Sequence, residues 1–148
     1  MFRKLRKGKQ YRRQGKNLIA TNKIKPEQWH ISDTEAKEAL QGQGYGVKQI
    51  KKINCLKHQV CISFWDHKGN VCSSFFSYRI FARWQKEVEK LVDGCHTLKE
   101  LIKLNYIMQY EFACYHYSYN VEEILQVALE NRLCVLDTTI PQAVLSVI

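Results

Sequence analysis

The chain has 148 residues, of which 45% are hydrophobic and 25% charged, and its formal net charge at pH 7 is +9. No run of about 18 apolar residues occurs, which excludes a transmembrane helix, and the N-terminus lacks the apolar core of a secretory signal. Six cysteines without such a signal indicate free thiols, so we expect an intracellular protein, cytoplasmic or located in the nucleoid or nucleus.

The N-terminal segment concentrates positive charge. Eight of its first 16 residues are Lys or Arg, and the first carboxylate of the chain is Glu27. Because like charges repel and few apolar side chains are present, residues 1–17 are predicted to form a flexible basic arm. Residues 18–148 are long enough to form a single domain with its own core.

Charge is also unequal between the two parts of the chain. Residues 1–88 carry 19 basic and 6 acidic side chains, a net charge of +13. Residues 89–148 carry 4 basic and 8 acidic side chains, a net charge of −4. Such asymmetry indicates that the front of the chain, but not its rear, contacts a polyanion.

The middle of the chain is predicted to contain a helix and then strands. Ser-Asp-Thr-Glu at 32–35 fits a capping box, and the helix that it starts ends in the glycines of 42–46. β-branched residues favour a strand over 47–54, with a helix as the alternative. Apolar and polar residues alternate on both sides of the turn-rich residues 66–70, which predicts a β-hairpin over about 59–78.

The residues after the hairpin are predicted to be mainly helical. Apolar residues recur at helical spacing from Ile80, and a second capping box at 97–100 starts the next helix, with a strand over 106–117 as the alternative. Asn120 is predicted to cap a further helix, and residues 133–148 are predicted to be a strand followed by a short helix.

The predicted fold class is therefore α+β. A small antiparallel sheet, with its hairpin at about 59–78, precedes a helical C-terminal half and follows the basic N-terminal arm.

The basic residues of the front half are the strongest functional signal. Lys and Arg that neutralise phosphates release condensed counterions, and this gives nucleic-acid binding most of its nonspecific affinity. Arg79 and Arg83 are expected one turn apart on the helix that follows the hairpin. The candidate nucleic-acid-binding residues are Arg3, Lys4, Arg6, Lys7, Lys9, Arg12, Arg13, Lys16, Lys48, Lys51, Lys52, Arg79 and Arg83.

Aromatic residues could add base stacking to these phosphate contacts. Together with the lysines, Tyr45, Trp65 and Tyr78 could form a sheet surface on which bases stack. In the alternative interpretation these rings cover the core and the lysines are simply solvated.

Other chemistries have weaker support in the sequence. Cys55, His58 and Cys61 do not have a standard zinc-ligand spacing, so no metal site is predicted. Residues 66–68 (Asp-His-Lys) formally match a nuclease D-x-K pattern, but no acidic residue lies between Glu38 and Asp66 to share a metal. The Cys95-His96 pair lacks an identifiable third group to orient it as a nucleophile and base.

Five of the eight tyrosines lie in the C-terminal half, between residues 106 and 119. They indicate either a surface for docking a protein, including a second copy, or helices whose hydroxyl groups reach the surface.

The sequence as a whole predicts a non-enzymatic nucleic-acid-binding protein, a small subunit of a ribonucleoprotein or DNA-processing assembly. It would need no cofactor, would not bind membranes, and would contact a protein partner or itself through the C-terminal half. The alternatives are an adaptor or inhibitor for an acidic protein, a coat or nucleocapsid-type protein, and a metal-dependent nuclease. The sequence does not distinguish RNA from DNA, or single from double strands, as the ligand.

Overall fold

The structure, a computed structural model, describes residues 15–137, so predictions for residues 1–14 and 138–148 lie outside the described part of the chain. Three β-strands are followed by a helical C-terminal half, which confirms the α+β fold class. In chain order the elements are α1 Asp33–Gly42, β1 Gln49–Cys55, β2 Val60–Trp65, β3 Val71–Phe76, α2 Ala82–Asp93, α3 Leu98–Cys114 and α4 Tyr119–Leu136, with 3₁₀ turns at Pro26–Gln28 and Tyr78–Ile80.

The described chain divides into two compact units. One unit comprises residues 24–84 and contains α1 and the sheet, and the other comprises residues 15–23 together with residues 85–137. The single domain over 18–148 stays a prediction. Within residues 15–137, no helix is long and apolar enough to cross a membrane.

Helix α1 begins at the predicted N-cap. The Ser32 hydroxyl accepts a hydrogen bond from the backbone N–H of Glu35 at 3.1 Å, which satisfies one of the free donors of the first turn. The helix buries Ala36, Ala39 and Leu40. After its end, Gly44 has a φ of +93°, a conformation that favours glycine and turns the chain toward β1.

The sheet is antiparallel in the order β1-β2-β3. The predicted alternation in β2 is confirmed, because Val60, Ile62 and Phe64 are buried while the residues between them are half-buried. The strand predicted over 47–54 is confirmed as β1. One face of the sheet therefore belongs to the core, and the other is open to solvent.

Strand β1 contains a bulge at its two lysines. Its register with β2 shifts between Ile50 and Lys52, so that Ile50 pairs with Phe64 and Ile53 pairs with Ile62. Without the extra residue, strict alternation would place two isoleucines three positions apart on opposite faces. The bulge keeps both isoleucines toward the core and leaves Lys51 and Lys52 exposed.

Helix α3 decides between the two structures predicted for residues 106–117. A strand over 106–117 is wrong, because α3 continues to Cys114. Its buried residues Leu101, Leu104, Met108 and Phe112 recur every three or four positions, a period that packs one face of a helix and not of a strand.

Helix α4 differs from the prediction at both ends. Its N-cap is Ser118 and not Asn120, since the Ser118 hydroxyl accepts the N–H of Val121 at 3.3 Å. The strand predicted from residue 133 is wrong over 133–136, because α4 runs to Leu136 on the helical spacing set by Leu125 and Leu129. The rest of that prediction lies outside the described residues.

Candidate nucleic-acid interface

The open face of the sheet carries small, polar and aromatic side chains. The strand register places opposite the core face the residues Gln49, Lys52, Asn54, Cys61, Ser63, Trp65, Val71, Ser73 and Phe75, which we call the open face. Phe75 is 58% exposed and Val71 is 50% exposed. The hydroxyls of Ser63 and Ser73 lie 2.6 Å apart and pair with each other across β2 and β3. A large aromatic ring thus stands in solvent beside a floor of small side chains.

Lys51 and Trp65 form a pair at one end of the open face. The Lys51 Nζ lies 5.6 Å from the centroid of the Trp65 ring, within the range of a cation–π interaction. At an exposed site such a contact contributes about 0.5–1 kcal/mol. The bulge in β1 makes this contact possible, because it leaves Lys51 on the solvent side next to β2.

Lysines dominate the charge around the sheet. Residues 43–77 contain five lysines and a single carboxylate, that of Asp66. One oxygen of Asp66 accepts the backbone N–H groups of Lys68 and Asn70, both at 2.9 Å, and so closes the hairpin turn. All five lysines are exposed, so this segment presents a positive net charge to solvent.

Lys48 completes the lysine group of β1. It precedes the strand, its backbone N–H donates to the Trp65 carbonyl at 2.8 Å, and its own carbonyl accepts from Lys37 Nζ at 3.2 Å. Of the predicted site residues, Lys48 thus lies directly before β1, and Lys51 and Lys52 lie within it; all three are exposed.

Arg83 is held by partners within its own unit. Its guanidinium donates to the Glu35 carboxylate from Nε at 3.0 Å and from Nη2 at 2.6 Å, and to the His30 carbonyl at 3.3 Å. It also lies 5.2 Å from the centroid of the Trp29 ring. All of these partners lie within residues 24–84.

Arg79 does not share a helix with Arg83, so that part of the prediction is wrong. Ser77 caps a 3₁₀ turn that contains Arg79, and Phe81 has an extended backbone that separates this turn from α2. The Arg79 guanidinium lies 4.7 Å from the Trp84 ring centroid and donates to the Ser77 hydroxyl at 3.3 Å. Binding of nucleic acid by either arginine stays a prediction.

The described end of the arm lies against α3. The predicted arm residues Arg3, Lys4, Arg6, Lys7, Lys9, Arg12 and Arg13 lie outside the described residues. Lys16 donates to the Tyr106 hydroxyl at 3.4 Å, and its Nζ is 5.6 Å from that ring's centroid. Asn17 is buried, and its amide donates to the Tyr115 hydroxyl at 2.8 Å.

The aromatic candidates divide between the two faces of the sheet. Trp65 lies on the open face, but Tyr78 is fully buried and donates its hydroxyl to the Leu56 carbonyl. Tyr45 contacts Phe64 and Phe76 of the core face edge-on. Phe75 was not among the predicted residues, although its pairing with Cys61 follows from the hairpin alternation.

The structure separates the candidate metal ligands. Cys55 pairs with Val60 on the core side, whereas Cys61 lies on the open face, so the two thiols point to opposite sides of the sheet. Within residues 15–137 no group of three or more His, Cys, Asp or Glu side chains is placed to hold a metal ion. All six cysteines are free thiols.

The Cys95 thiol is buried and hydrogen-bonded. It is 6% exposed and donates to the Leu91 carbonyl at 3.4 Å. Burial raises the pKa of this thiol, with the negative charge of Glu100 as a second cause. A raised pKa disfavours the thiolate that a nucleophile would need.

The tyrosines of the C-terminal half differ in exposure, and docking of a protein partner by them stays a prediction. Tyr106 is 63% and Tyr119 is 81% exposed, as a docking surface would require. Tyr115 and Tyr117 instead bond inward, to Asn17 and to the buried Glu111.

No protein-family model, curated protein or solved structure matches this chain. Its function has to be inferred from the open face, the lysines of β1 and the contacts at the end of the arm.

Proposed function

We propose that the protein binds nucleic acid without acting on it chemically, as a small intracellular subunit of a ribonucleoprotein or DNA-processing assembly. One observation carries this proposal: the exposed lysines of β1 lie beside an open sheet face that also presents aromatic rings. A lysine-rich surface next to exposed rings is suited to a phosphate backbone and to bases.

Charge at the sheet favours a polyanion over a neutral partner. Within the described chain, no carboxylate forms an ion pair with Lys48, Lys51 or Lys52. The only carboxylate of residues 43–77 is occupied by backbone N–H groups of its own turn. Each lysine that meets a phosphate would release a counterion, and the basic arm would add further phosphate contacts.

The test is the salt dependence of binding in the full chain. Lys51→Gln/Lys52→Gln is compared with Lys99→Gln/Lys103→Gln, which removes the same charge from exposed positions of α3. Fluorescence anisotropy with labelled DNA and RNA is measured from about 50 to 200 mM salt. The β1 variant should flatten the slope of log K against log salt by about 1.4–1.8, as loss of two phosphate contacts requires.

The control variant should leave the slope within error of the unaltered chain. Equal losses in the two variants would mean that only net charge matters, and the β1 site would be rejected.

Self-association is a second candidate function, favoured by the exposed apolar residues of the C-terminal half. Ile102 is 59%, Tyr106 is 63% and Val135 is 60% exposed, and a groove of about 280 Å³ lies between α3 and α4. We propose that a second copy of the chain covers this surface, as a coat-type protein would need. Sedimentation of the full chain and of Ile102→Asp should show an oligomer that the substitution dissociates.

A further inference from the structure

We infer that the nucleic acid on the open face is a single strand and that its bases stack on Trp65 and Phe75. This inference rests on the proposed function and specifies its ligand. It follows from the exposure of the two rings, their separation, and the position of the β1 lysines beside them.

The two rings have surface available for a base. Phe75 is 58% exposed, and its cross-strand neighbour Cys61 is small. Trp65 is half-buried, with Lys51 near its ring and the exposed Val71 opposite it. Between the rings lie Ser63 and Ser73, so no bulky side chain separates the two stacking positions.

A duplex would not use these rings. Its bases are already stacked on one another, and it offers only base edges and phosphates to a protein. The major groove admits a helix or a two-stranded ribbon, whereas this sheet has three strands. Unstacked bases of a single strand gain contact with an aromatic face, and this gain depends little on sequence because every base has a π-face.

The spacing of the rings determines how the strand would lie. Trp65 pairs with Val71, and Phe75 is four residues further along β3. Strand geometry therefore separates the two ring positions by about 14 Å. Lys52 pairs with Ser63, midway between them, and Lys51 lies at the Trp65 end. Different nucleotides would occupy the two rings, with the intervening phosphates toward the β1 lysines.

The experiment uses the full chain and three labelled probes of one mixed sequence: a 15-nucleotide DNA, the corresponding RNA, and the 15-base-pair DNA duplex. Phe75→Ser and Trp65→Ser remove the rings, and Trp65→Phe retains a stacking surface. Tyr119→Ser, which removes the most exposed ring of the other unit, is the matched control. Circular dichroism and thermal unfolding verify that each variant is folded.

Phe75→Ser and Trp65→Ser should each weaken binding of the single strands about 5- to 150-fold, while changing duplex affinity less than twofold. Trp65→Phe should retain most single-strand affinity, which a variant that merely failed to fold would not. The two single-stranded probes show whether the strand is DNA or RNA. Loss of affinity for either probe in the ring variants supports the inference.

Two other results would overturn the inference and are distinguishable from each other. In the first, the unaltered chain binds, but the ring variants lower the affinity for duplex and single strand equally, or lower neither affinity. Stacking is then rejected and the proposed function stands. If no probe binds to the unaltered chain, the proposed function fails as well.

Discussion

The buried side chain of Glu111 in α3 accepts a hydrogen bond from the backbone N–H of Leu18, with 3.0 Å between Oε2 and N. Both residues are 0% exposed, although 93 positions separate them in sequence. The other carboxyl oxygen accepts the Tyr117 hydroxyl at 2.6 Å. Leu18, directly after the basic arm, is thus fixed to α3.

Glu111→Ala should destabilise the protein by about 2–4 kcal/mol, because it leaves a buried N–H and a tyrosine hydroxyl without their acceptor. Glu111→Gln keeps one oxygen acceptor and should cost less. Urea unfolding measures the loss, and hydrogen exchange at Leu18 reports whether the segment has detached.

Glu123→Ala on the exposed surface of α4 is the control for this prediction. If Glu111→Ala unfolds at the same urea concentration as the control, Glu111 does not anchor the segment.

Arg83 and Glu35 should show a measurable but modest coupling. Their side chains are 31% and 24% exposed, so solvent screens the pair. A double-mutant cycle with Arg83→Ala and Glu35→Ala should give about 0.5–1 kcal/mol of coupling. Arg83→Lys should recover little, because an ammonium group cannot reproduce the two-point contact or the stacking on Trp29. Zero coupling would contradict the ion pair.

Tyr78 should make the protein sensitive to alkaline pH. Burial, with the neighbouring Cys55 as a second cause, raises the pKa of Tyr78 well above its usual value near 10. Above about pH 10 the unfolded chain releases this proton while the folded chain retains it, so stability falls as pH rises from there. Below that pH the group binds one proton in both states and adds no slope.

Tyr78→Phe tests this effect. The variant should lose about 1 kcal/mol at neutral pH with the hydrogen bond to the Leu56 carbonyl, and its stability should fall less steeply above pH 10. Thermal unfolding between pH 7 and 11 gives both quantities, with Tyr119→Phe as the exposed control. Parallel curves for Tyr78→Phe and the unaltered chain would refute the assignment.

Arg132 should stabilise the end of α4. Its Nε and Nη2 donate to the Cys95 carbonyl at 3.0 and 2.7 Å, which joins α4 to the loop before α3. Arg132→Ala should cost about 1.5–3 kcal/mol, the range for hydrogen bonds to a charged group. Asn131→Ala, one position earlier and exposed, should cost far less in the same urea titration. A similar loss in both variants would argue against the contact.

Local patterns were sufficient to predict much of the fold. The alternation in β2 identified its core face, and the serine and threonine before α1 and α3 were recognised as caps because capping depends on a few neighbouring residues. The end of α4 was not predictable in this way. Its apolar residues from Leu133 suggested a strand, but the helix that Ser118 caps continues through them to Leu136.

The candidate site was predictable only in part. The lysines of β1 were visible as charge, and the Ile-Lys-Lys-Ile order at 50–53 contained the signal for a bulge, since it breaks two-residue alternation. From the sequence, Arg83 looked as available for binding nucleic acid as these lysines. Its partner Glu35 is 48 positions away, and only tertiary structure brings the two together. The same limit applies to Tyr78, whose burial no local pattern reveals.

The most direct test of nucleic-acid binding compares the unaltered full chain with a full-length variant in which the seven arm cations from Arg3 to Arg13 are Gln. Binding of single-stranded DNA and RNA is followed from about 50 to 200 mM salt. The proposed function predicts that the unaltered chain binds with a steep salt slope, and that the variant binds more weakly with a slope flatter by about 3–5. Absence of binding by the unaltered chain at about 50 mM salt, or identical slopes for the two proteins, would contradict it.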